Sequence, residues 1–209
     1  MPERKTRFYA GGFYHVFDRG NNKGPIFFED RDYERFLEKV SEYKETYSAE
    51  ILAYCFLFNH FHFLVRQTTE MPINRFFGTL LNSHARYTGI KHGTIGHVFQ
   101  GRFKAKLIEE EASVFQVSRY IHLNPIKERL LTSGLKRRRT GKRSLSLLLK
   151  QTLREYPWSS YPTYLNPKAG NEAAETGFIL NSFGSPAKYR RFVEADLALP
   201  DIEQLSQTS

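Results

Sequence analysis

The fold is decided by residues 51–67, ILAYCFLFNHFHFLVRQ, in which two apolar runs are separated by Phe58 and Asn59. The first run is apolar throughout, as in a strand that is covered on both faces. The second run alternates, and alternate side chains of a strand point to opposite faces. One face carries Phe61, Phe63 and Val65, and the other carries His60, His62 and Leu64. The stretch predicts a β-hairpin whose second strand carries two histidines on one face.

Periodicity outside the hairpin predicts the remaining elements. Strands are expected at 12–17 and 97–108, and helices at 30–47, 72–88 and 111–123, the last ending near Pro125. The resulting order, β-α-β-β-α-β with an added helix, is that of the ferredoxin-like split βαβ motif. We therefore predict an α+β fold: an antiparallel sheet with two helices on one face, an added helix on the other and a helical C-terminal extension.

Composition limits the class of protein. The 209 residues carry a net charge of +9, which favours a polyanionic partner. The beginning of the chain is polar and basic, and no apolar run approaches the ~20 residues of a membrane helix. The single cysteine, Cys55, excludes an internal disulfide. We expect a cytoplasmic protein with a main domain at 8–130, a basic linker at 131–154 and a packed extension at 155–200.

The helix predicted after Ile108 strengthens the case that the histidine pair binds a metal ion. Two histidines with one residue between them on a strand can bind one metal ion, although such a pair alone is weak evidence. In the helix, Gln116, Tyr120 and Asn124 are four residues apart and form one row. If the helix docks on the sheet face opposite the other two helices, a phenol and an amide would approach His60 and His62.

These groups suit phosphate chemistry. A tyrosine with an ordinary pKa of about 10 is a poor nucleophile until it is activated. A divalent ion bound by two imidazoles and an amide oxygen would polarise a phosphodiester and stabilise the leaving oxygen. The resulting phosphotyrosine would retain the bond energy, so that a later hydroxyl could rejoin the strand without ATP.

Five blocks of sequence resemble a known family when taken in order. They are FYHVFDRGNNKGPIF at 13–27, AYCFLFNHFHFLV at 53–65, GHVFQGRFKAKLI at 96–108, RYIHLNP at 119–125 and YPWSSY at 156–161. The chain resembles the REP-associated tyrosine transposases, relatives of the single-tyrosine transposases of small insertion sequences within the HUH endonucleases. The resemblance is dense over residues 10–130 and looser over 155–195.

The resemblance implies specific roles. His60, His62 and Asn124 would be the metal ligands, Tyr120 the nucleophile that takes the 5′-phosphate, and Mg²⁺ or Mn²⁺ the cofactor. The substrate would be single-stranded DNA beside a hairpin such as a repetitive extragenic palindrome. The protein would be bacterial and nucleoid-associated, acting as a monomer or a homodimer.

Two basic segments are candidate DNA-binding surfaces. The first is the row Arg102, Lys104 and Lys106, and the second is the run Lys136, Arg137, Arg138 and Arg139. A solvated strand face and a solvated loop are the respective alternatives. The remaining histidines, including His15 and His122, are interpreted as structural.

Three other functions stay open. A hairpin-binding protein that no longer cuts would bind DNA without a covalent adduct. A rolling-circle initiator or relaxase would use the same chemistry but lack the RYIHLNP and YPWSSY blocks. A metallonuclease with water as nucleophile would leave a free 5′-phosphate and would tolerate Tyr120→Phe.

Overall fold

The strands and helices follow one another in the predicted order. A computed structural model describes residues 6–132, 142–195 and 197. Its strands are β1 (Phe13–Arg19), β2 (Ala49–Leu57), β3 (His60–Gln67) and β4 (Lys104–Ile108). Its helices are α1 (Asp30–Thr46), α2 (Asn74–His92), α3 (Glu111–Thr132), α4 (Lys142–Glu155), α5 (Tyr161–Leu165), α6 (Gly177–Phe183) and α7 (Pro186–Glu194). Short 3-10 turns lie at Asn21–Lys23 and Pro167–Ala169.

The four strands form one antiparallel sheet in the order β2-β3-β1-β4. This is the order of a ferredoxin-like sheet, so the predicted α+β fold is confirmed. Strand β3 lies between β2 and β1, and its register places His62 opposite Phe17 and His60 opposite Arg19. The histidine pair is therefore held by hydrogen-bonded strands on both sides.

The two faces of the sheet carry different layers. Helices α1 and α2 cover one face, where Tyr14, Phe36 and Phe77 belong to the first apolar cluster. Helix α3 packs on the other face through Val114 and Ile121, together with residues of α4 to α7. The prediction that the added helix docks opposite the two covering helices is confirmed.

The predicted strand at 97–108 is wrong in its first half. Strand β4 begins at Lys104, and Phe99 makes only an isolated bridge with Gly20. The chain before it bends through Gly93 and Gly96, which have φ values of 63° and 86°. Phe99 is nevertheless buried, although it lies outside the strand.

Helix α3 does not end near Pro125, contrary to the prediction. The helix runs through Pro125 to Thr132. Proline lacks the N–H that would bond to the carbonyl of Ile121, four residues earlier. The Asn124 side chain supplies a replacement, because Nδ2 donates to the Ile121 oxygen at 3.3 Å and to the Tyr120 oxygen at 2.9 Å. An asparagine just before the proline thus allows the helix to continue.

The C-terminal segment pairs with the outer strand of the sheet. The Phe56 N–H donates to the Trp158 carbonyl at 2.8 Å, the Ser160 N–H donates to the Tyr54 carbonyl at 3.0 Å, and Cys55 faces Ser159 in a bridge. This pairing covers the edge of β2, which would otherwise be open. None of the helices in the described ranges is both long and apolar enough to cross a membrane.

Candidate active site

One sheet face carries the predicted chemistry. On β3, the side chains of His60 and His62 share this face with those of Arg19, Phe17 and His15 on β1, because paired residues point the same way. The pairing of β1 with β4 adds Lys104 beside Phe17 and Lys106 beside His15. Imidazoles and ammonium groups therefore lie in adjacent rows.

The two predicted ligand histidines lie next to each other. Their ring centroids are 5.2 Å apart and the rings are perpendicular. His60 Nδ1 lies 2.7 Å from Asn59 Oδ1, an acceptor, so this nitrogen carries the proton and Nε2 keeps its lone pair. Asn59 is itself fixed, because its amide donates to the Lys23 carbonyl at 3.0 Å.

His62 is oriented by another histidine. Its Nδ1 lies 3.0 Å from His15 Nε2, and the two rings are stacked with centroids 5.2 Å apart. Burial lowers the pKa of His15 and of His60 to about 4, and that of His62 well below its usual value. Nearby cations add to the effect, Lys106 at His15 and Lys127 at His60. All three rings are thus neutral at pH 7, as metal ligands and their partners must be.

The structure brings Tyr120 to the histidine pair. Its ring centroid is 5.6 Å from that of His62 and 5.7 Å from that of His15, and it is steeply inclined to both rings. The pKa of Tyr120 is raised by burial. A buried phenol is harder to deprotonate than one in water, so attack by its oxygen needs activation, by a base, a metal ion or a positive charge close by.

Asn124 follows Tyr120 by one helical turn and is 3% exposed. Its amide nitrogen is used within α3, whereas its Oδ1 accepts no hydrogen bond from the described residues. Among the described residues, no hydrogen bond joins Asn124 to His60 or His62. The available donor atoms, two imidazole Nε2 atoms and one amide oxygen, fit a divalent ion that accepts mixed nitrogen and oxygen ligands. In the described ranges, no group of three His, Cys, Asp or Glu side chains is placed to hold a metal.

Lys127 is a site residue that the sequence pattern did not reveal. Its Nζ lies 3.9 Å from the centroid of the Tyr120 ring, and the residue is only 9% exposed. Burial lowers the pKa of Lys127 to about 8. The only available signal was its spacing, since it follows Tyr120 by seven residues and therefore lies on the same helix face.

The candidate DNA-binding residues are only partly assembled. Lys104 and Lys106 are exposed on the face that carries the histidines, with Lys106 Nζ 5.9 Å from the centroid of the Phe17 ring. Arg102 is exposed but precedes β4, so strand alternation does not set its direction. The predicted basic run lies outside the described residues. It comprises Lys136, Arg137, Arg138 and Arg139.

Beneath the site lies a buried polar cluster. His122 Nε2 lies 2.8 Å from Ser160 Oγ, and its Nδ1 lies 2.8 Å from the Tyr189 hydroxyl. Tyr189 also donates to Ser118 Oγ at 3.0 Å. The histidine comes from the RYIHLNP block and the serine from the YPWSSY block, so the two blocks meet in the core. His122 is fully buried, in accord with its expected structural role.

The sequence and the fold were compared with those of known proteins. The family model described as "Transposase IS200 like" matches residues 10–124. Among solved structures, a REP-associated tyrosine transposase bound to a REP hairpin aligns with a TM-score of 0.59 and 15% identity, over 84% of this chain and 93% of that chain. This likeness supports the fold.

Two weaker structural matches have TM-scores below 0.5 and carry no argument. A candidate transposase from Deinococcus radiodurans aligns with a TM-score of 0.40 and 16% identity, over 57% of this chain and 95% of that chain. The tRNA(His) guanylyltransferase of Saccharomyces cerevisiae aligns with a TM-score of 0.43 and 9% identity, over 74% of this chain and 81% of that chain. Comparison with curated protein sequences gives no match.

Proposed function

The chain belongs to the IS200-like transposase family, and from this premise we propose that it cuts and rejoins single-stranded DNA beside a hairpin, with Tyr120 as nucleophile. Members of the family are HUH single-tyrosine nucleases that cleave single-stranded DNA, so the enzyme class follows from membership. The residues that act and the hairpin substrate are the parts that we propose.

One observation carries the assignment of the residues. The Tyr120 ring lies 5.6 Å from the His62 ring, on the face where His60 and His62 are neighbours. The nucleophile Tyr120 follows the proposed ligands His62 and His60 by 58 and 60 residues in sequence, and packing of α3 on the sheet brings them together. A phosphodiester bound between α3 and β3 would be within reach of the Tyr120 hydroxyl and of a metal ion bound by His60 and His62.

The proposed cleavage step exchanges one phosphate ester for another. The Tyr120 oxygen attacks the scissile phosphorus, and the bond from phosphorus to the 3′ oxygen breaks. The phenol gives up one proton and the leaving 3′ oxygen gains one, so the products are a 5′-phosphotyrosine and a free 3′-hydroxyl. In the reverse step a 3′-hydroxyl attacks the phosphotyrosine and Tyr120 is released.

The metal site would be formed by His60, His62 and Asn124. When bound, Mg²⁺ or Mn²⁺ would polarise the scissile phosphate and stabilise the leaving oxygen. The two histidine ligands are oriented before a metal ion binds. Asn59 fixes the tautomer of His60, His15 orients His62, and burial keeps both rings neutral.

The proposed DNA contacts are electrostatic. Lys104 and Lys106 lie on the catalytic face and would bind the backbone of the single strand, and Arg102 and the run at 136–139 would extend this surface. The structural neighbour at 15% identity was solved with a REP hairpin, which motivates the choice of hairpin substrate. We also propose a catalytic domain at 8–130, a segment at 131–154 and an extension at 155–200 that packs on the domain.

The decisive experiment is a search for the covalent adduct. The chain is incubated with Mn²⁺ and hairpin oligonucleotides that carry a single-stranded 5′ flank, and products are analysed by denaturing gel and mass spectrometry. We expect an adduct at Tyr120 that Tyr120→Phe abolishes. Tyr9→Phe is the matched control, since Tyr9 is 47% exposed and lies outside the proposed site.

Each of the other possible outcomes would indicate a different function or a different nucleophile. An adduct that persists in Tyr120→Phe excludes this nucleophile. A free 5′-phosphate without adduct identifies water as the nucleophile, and tight hairpin binding without cleavage identifies a binding protein. Substituting a ligand separates binding from chemistry: His60→Ala should abolish the adduct and retain most hairpin affinity, because basic residues supply the phosphate contacts.

The basic strand gives an independent prediction. Lys104→Met and Lys106→Met should each weaken binding to all hairpin sequences alike. Each should also lower the slope of log affinity against log salt by about 1, as expected for the loss of one phosphate contact. Fluorescence anisotropy at several salt concentrations measures both quantities. An unchanged slope would remove these lysines from the DNA-binding surface.

A further inference from the structure

Among the described residues, Lys127 is a buried cation without a counter-ion. It is 9% exposed and makes no salt bridge and no hydrogen bond with any of them. Its ammonium lies over the face of the Tyr120 ring, 3.9 Å from the centroid, and is close enough to His60 and His62 to help lower their pKa values. Lysine is rarely buried unless it is paired, because removing an ammonium from water is costly. A buried lysine that lacks a carboxylate lowers stability, and such a cost is typical of functional sites.

The position of Lys127 is set by rigid structure. It follows Tyr120 by seven residues on α3, about two helical turns, so both side chains lie on one face of the helix. Between them, Ile121, Leu123 and Ile126 are buried in the second apolar cluster and anchor the helix. The ammonium is therefore held against the phenol by the fold and does not depend on DNA for its place.

Lys127 differs in charge or in exposure from the other ionisable groups on this sheet face. His60 and His62 are neutral, because their burial lowers both pKa values. Lys104 and Lys106 are exposed and hydrated, which suits contact with the DNA backbone. Lys127 is the buried cation that contacts Tyr120, and in a dehydrated site a charge acts more strongly than in water.

We propose that Lys127 activates Tyr120 electrostatically, by stabilising the negative charge on its oxygen both when that oxygen attacks phosphorus and when it leaves. The inference rests on the proposed function of Tyr120. In cleavage the phenol loses its proton as the bond from oxygen to phosphorus forms and the bond to the 3′ oxygen breaks. In rejoining, the bond from phosphorus to the phenol oxygen breaks and the leaving phenolate again faces Lys127.

The lowered pKa of Lys127 agrees with this role. Burial brings it to about 8, so most Lys127 side chains are still protonated at pH 7. Burial of Tyr120 acts in the unfavourable direction, because it raises the pKa of the nucleophile. A fixed ammonium over the phenol ring favours the phenolate and so acts against that effect during the reaction.

The first experiment separates chemistry from binding. Single-turnover adduct formation and hairpin affinity are measured for the whole chain, for Lys127→Met and for Lys127→Arg. We expect Lys127→Met to slow adduct formation on the order of 10²-fold, comparable to losing one group that stabilises a transition-state charge, with little change in hairpin affinity. Lys127→Arg should recover a large part of the rate, since it retains the charge.

Lys39→Met is the matched control for these variants. Lys39 lies on α1, on the opposite side of the sheet, and pairs with Glu42 at 2.5 Å. Its loss should leave both adduct formation and hairpin affinity unchanged. A loss of affinity in Lys127→Met that is equal to its loss of rate would make Lys127 a DNA-binding residue and would overturn the proposal.

The second experiment tests the phenol directly. A fluorinated tyrosine at position 120 has a more acidic phenol and needs less help to carry negative charge. The rate penalty of Lys127→Met should therefore shrink when Tyr120 is fluorinated. A penalty of unchanged size would show that Lys127 acts on folding or on phosphate, and the proposal would fail.

The proposed function and the proposed role of Lys127 can be rejected separately. If the unmodified chain forms no adduct, the proposed function is wrong. If the unmodified chain forms the adduct and Lys127→Met forms it equally fast, the function stands and the role of Lys127 is wrong.

Discussion

A histidine that binds a metal offers one ring nitrogen to the ion, and the partner of its other nitrogen fixes the tautomer and the ring orientation. For His62 that partner is His15, whose Nε2 lies 3.0 Å from His62 Nδ1. If His62 binds through Nε2, its Nδ1–H must donate to His15, and His15 must carry its own proton on Nδ1. The tautomers of two residues are therefore coupled.

Removing this partner should weaken the proposed metal site. We expect His15→Leu to lower Mn²⁺ affinity by about 10–100-fold, the usual range for lost partners of ligands. Direct Mn²⁺ titration of the protein measures the effect without relying on cleavage. His15→Gln is the control, since its amide oxygen can accept the same hydrogen bond, and it should retain more affinity than His15→Leu. Equal affinity in His15→Leu and the unmodified chain would make His15 a packing residue only.

At the scale of single residues, the sequence predicted some side chains of the site and missed others. The shared face of His60 and His62 follows from alternation within one strand. His15 and Lys127 could not be assigned in the same way. The first depends on the register between β1 and β3, and the second on which face of α3 meets the sheet. Both depend on contacts between elements, which periodicity within one element does not encode.

Among the elements, α3 joins a structural requirement to a proposed catalytic one. Asn124 donates its amide to the carbonyl that Pro125 leaves without a donor, and it offers its oxygen as the proposed third ligand. One side chain would thus continue the helix and complete the metal site.

A double-mutant cycle separates the two roles. Asn124→Leu should lower the free energy of unfolding by about 1–2 kcal/mol, because the Ile121 carbonyl loses its donor. With Ala at position 125, the restored backbone N–H can serve that carbonyl, so Asn124→Leu should cost less stability. Adduct formation should be lost to the same extent in both backgrounds. Denaturant unfolding measures the loss of stability. If Asn124→Leu costs the same free energy of unfolding with Pro125 as with Ala at this position, the Asn124 side chain does not replace the missing backbone hydrogen bond.

The start of α1 depends on one buried carboxylate. Asp32 accepts hydrogen bonds from the Phe28 N–H at 2.8 Å, the Tyr87 hydroxyl at 3.0 Å and His92 Nε2 at 2.9 Å, and so ties α1 to α2. Burial alone would raise the pKa of Asp32, but these hydrogen bonds outweigh it and hold the pKa well below its usual range.

Acid should remove this contribution. Because the folded pKa of Asp32 is depressed, its stabilisation is present above the unfolded pKa of about 3.9 and is lost as pH falls below it. Asp32→Asn should therefore cost about 2 kcal/mol at pH 7, and the difference from the unmodified chain should narrow below about pH 4. Denaturant unfolding at several pH values measures the gap. A gap that stays constant on acidification would contradict the ionic role.

Prediction of the elements succeeded where one period persists over a whole segment. The hairpin strand His60–Gln67 has the predicted bounds. Two boundaries failed for identifiable reasons: glycines with positive φ delay β4, and a side chain satisfies the backbone at Pro125. Both depend on conformations that the hydrophobic pattern does not record.

For the whole molecule, His122 joins three separate parts of the chain. It lies on α3, bonds to Ser160 beside β2 and bonds to Tyr189 on α7. Burial lowers the pKa of His122 to about 3. The order of the blocks in the sequence predicted which family this chain resembles, and family membership is confirmed. The contact between the two blocks, however, is visible only in the folded chain.

This buried histidine should make the protein sensitive to mild acid. The unfolded chain binds a proton at an ordinary histidine pKa of about 6.5, whereas folded His122 does not until about pH 3. Stability from this group is therefore present above pH 6.5 and falls below it, by up to about 1.4 kcal/mol per pH unit. His122→Phe should lower stability at pH 7 but show a shallower decline between pH 6 and 4. An identical slope in both proteins would contradict the prediction; denaturant unfolding across pH measures it.

The single thiol of the chain, Cys55, can report on the helical layer that covers the sheet face of the candidate site. Cys55 pairs with His62 on that face and is completely shielded, and burial raises the pKa of its thiol well above the usual value. An alkylating reagent can therefore react only after the layer of α3 and the C-terminal helices opens. The rate of labelling in native buffer thus measures how often that layer opens. Slower labelling on addition of hairpin DNA would reveal that substrate holds the layer closed.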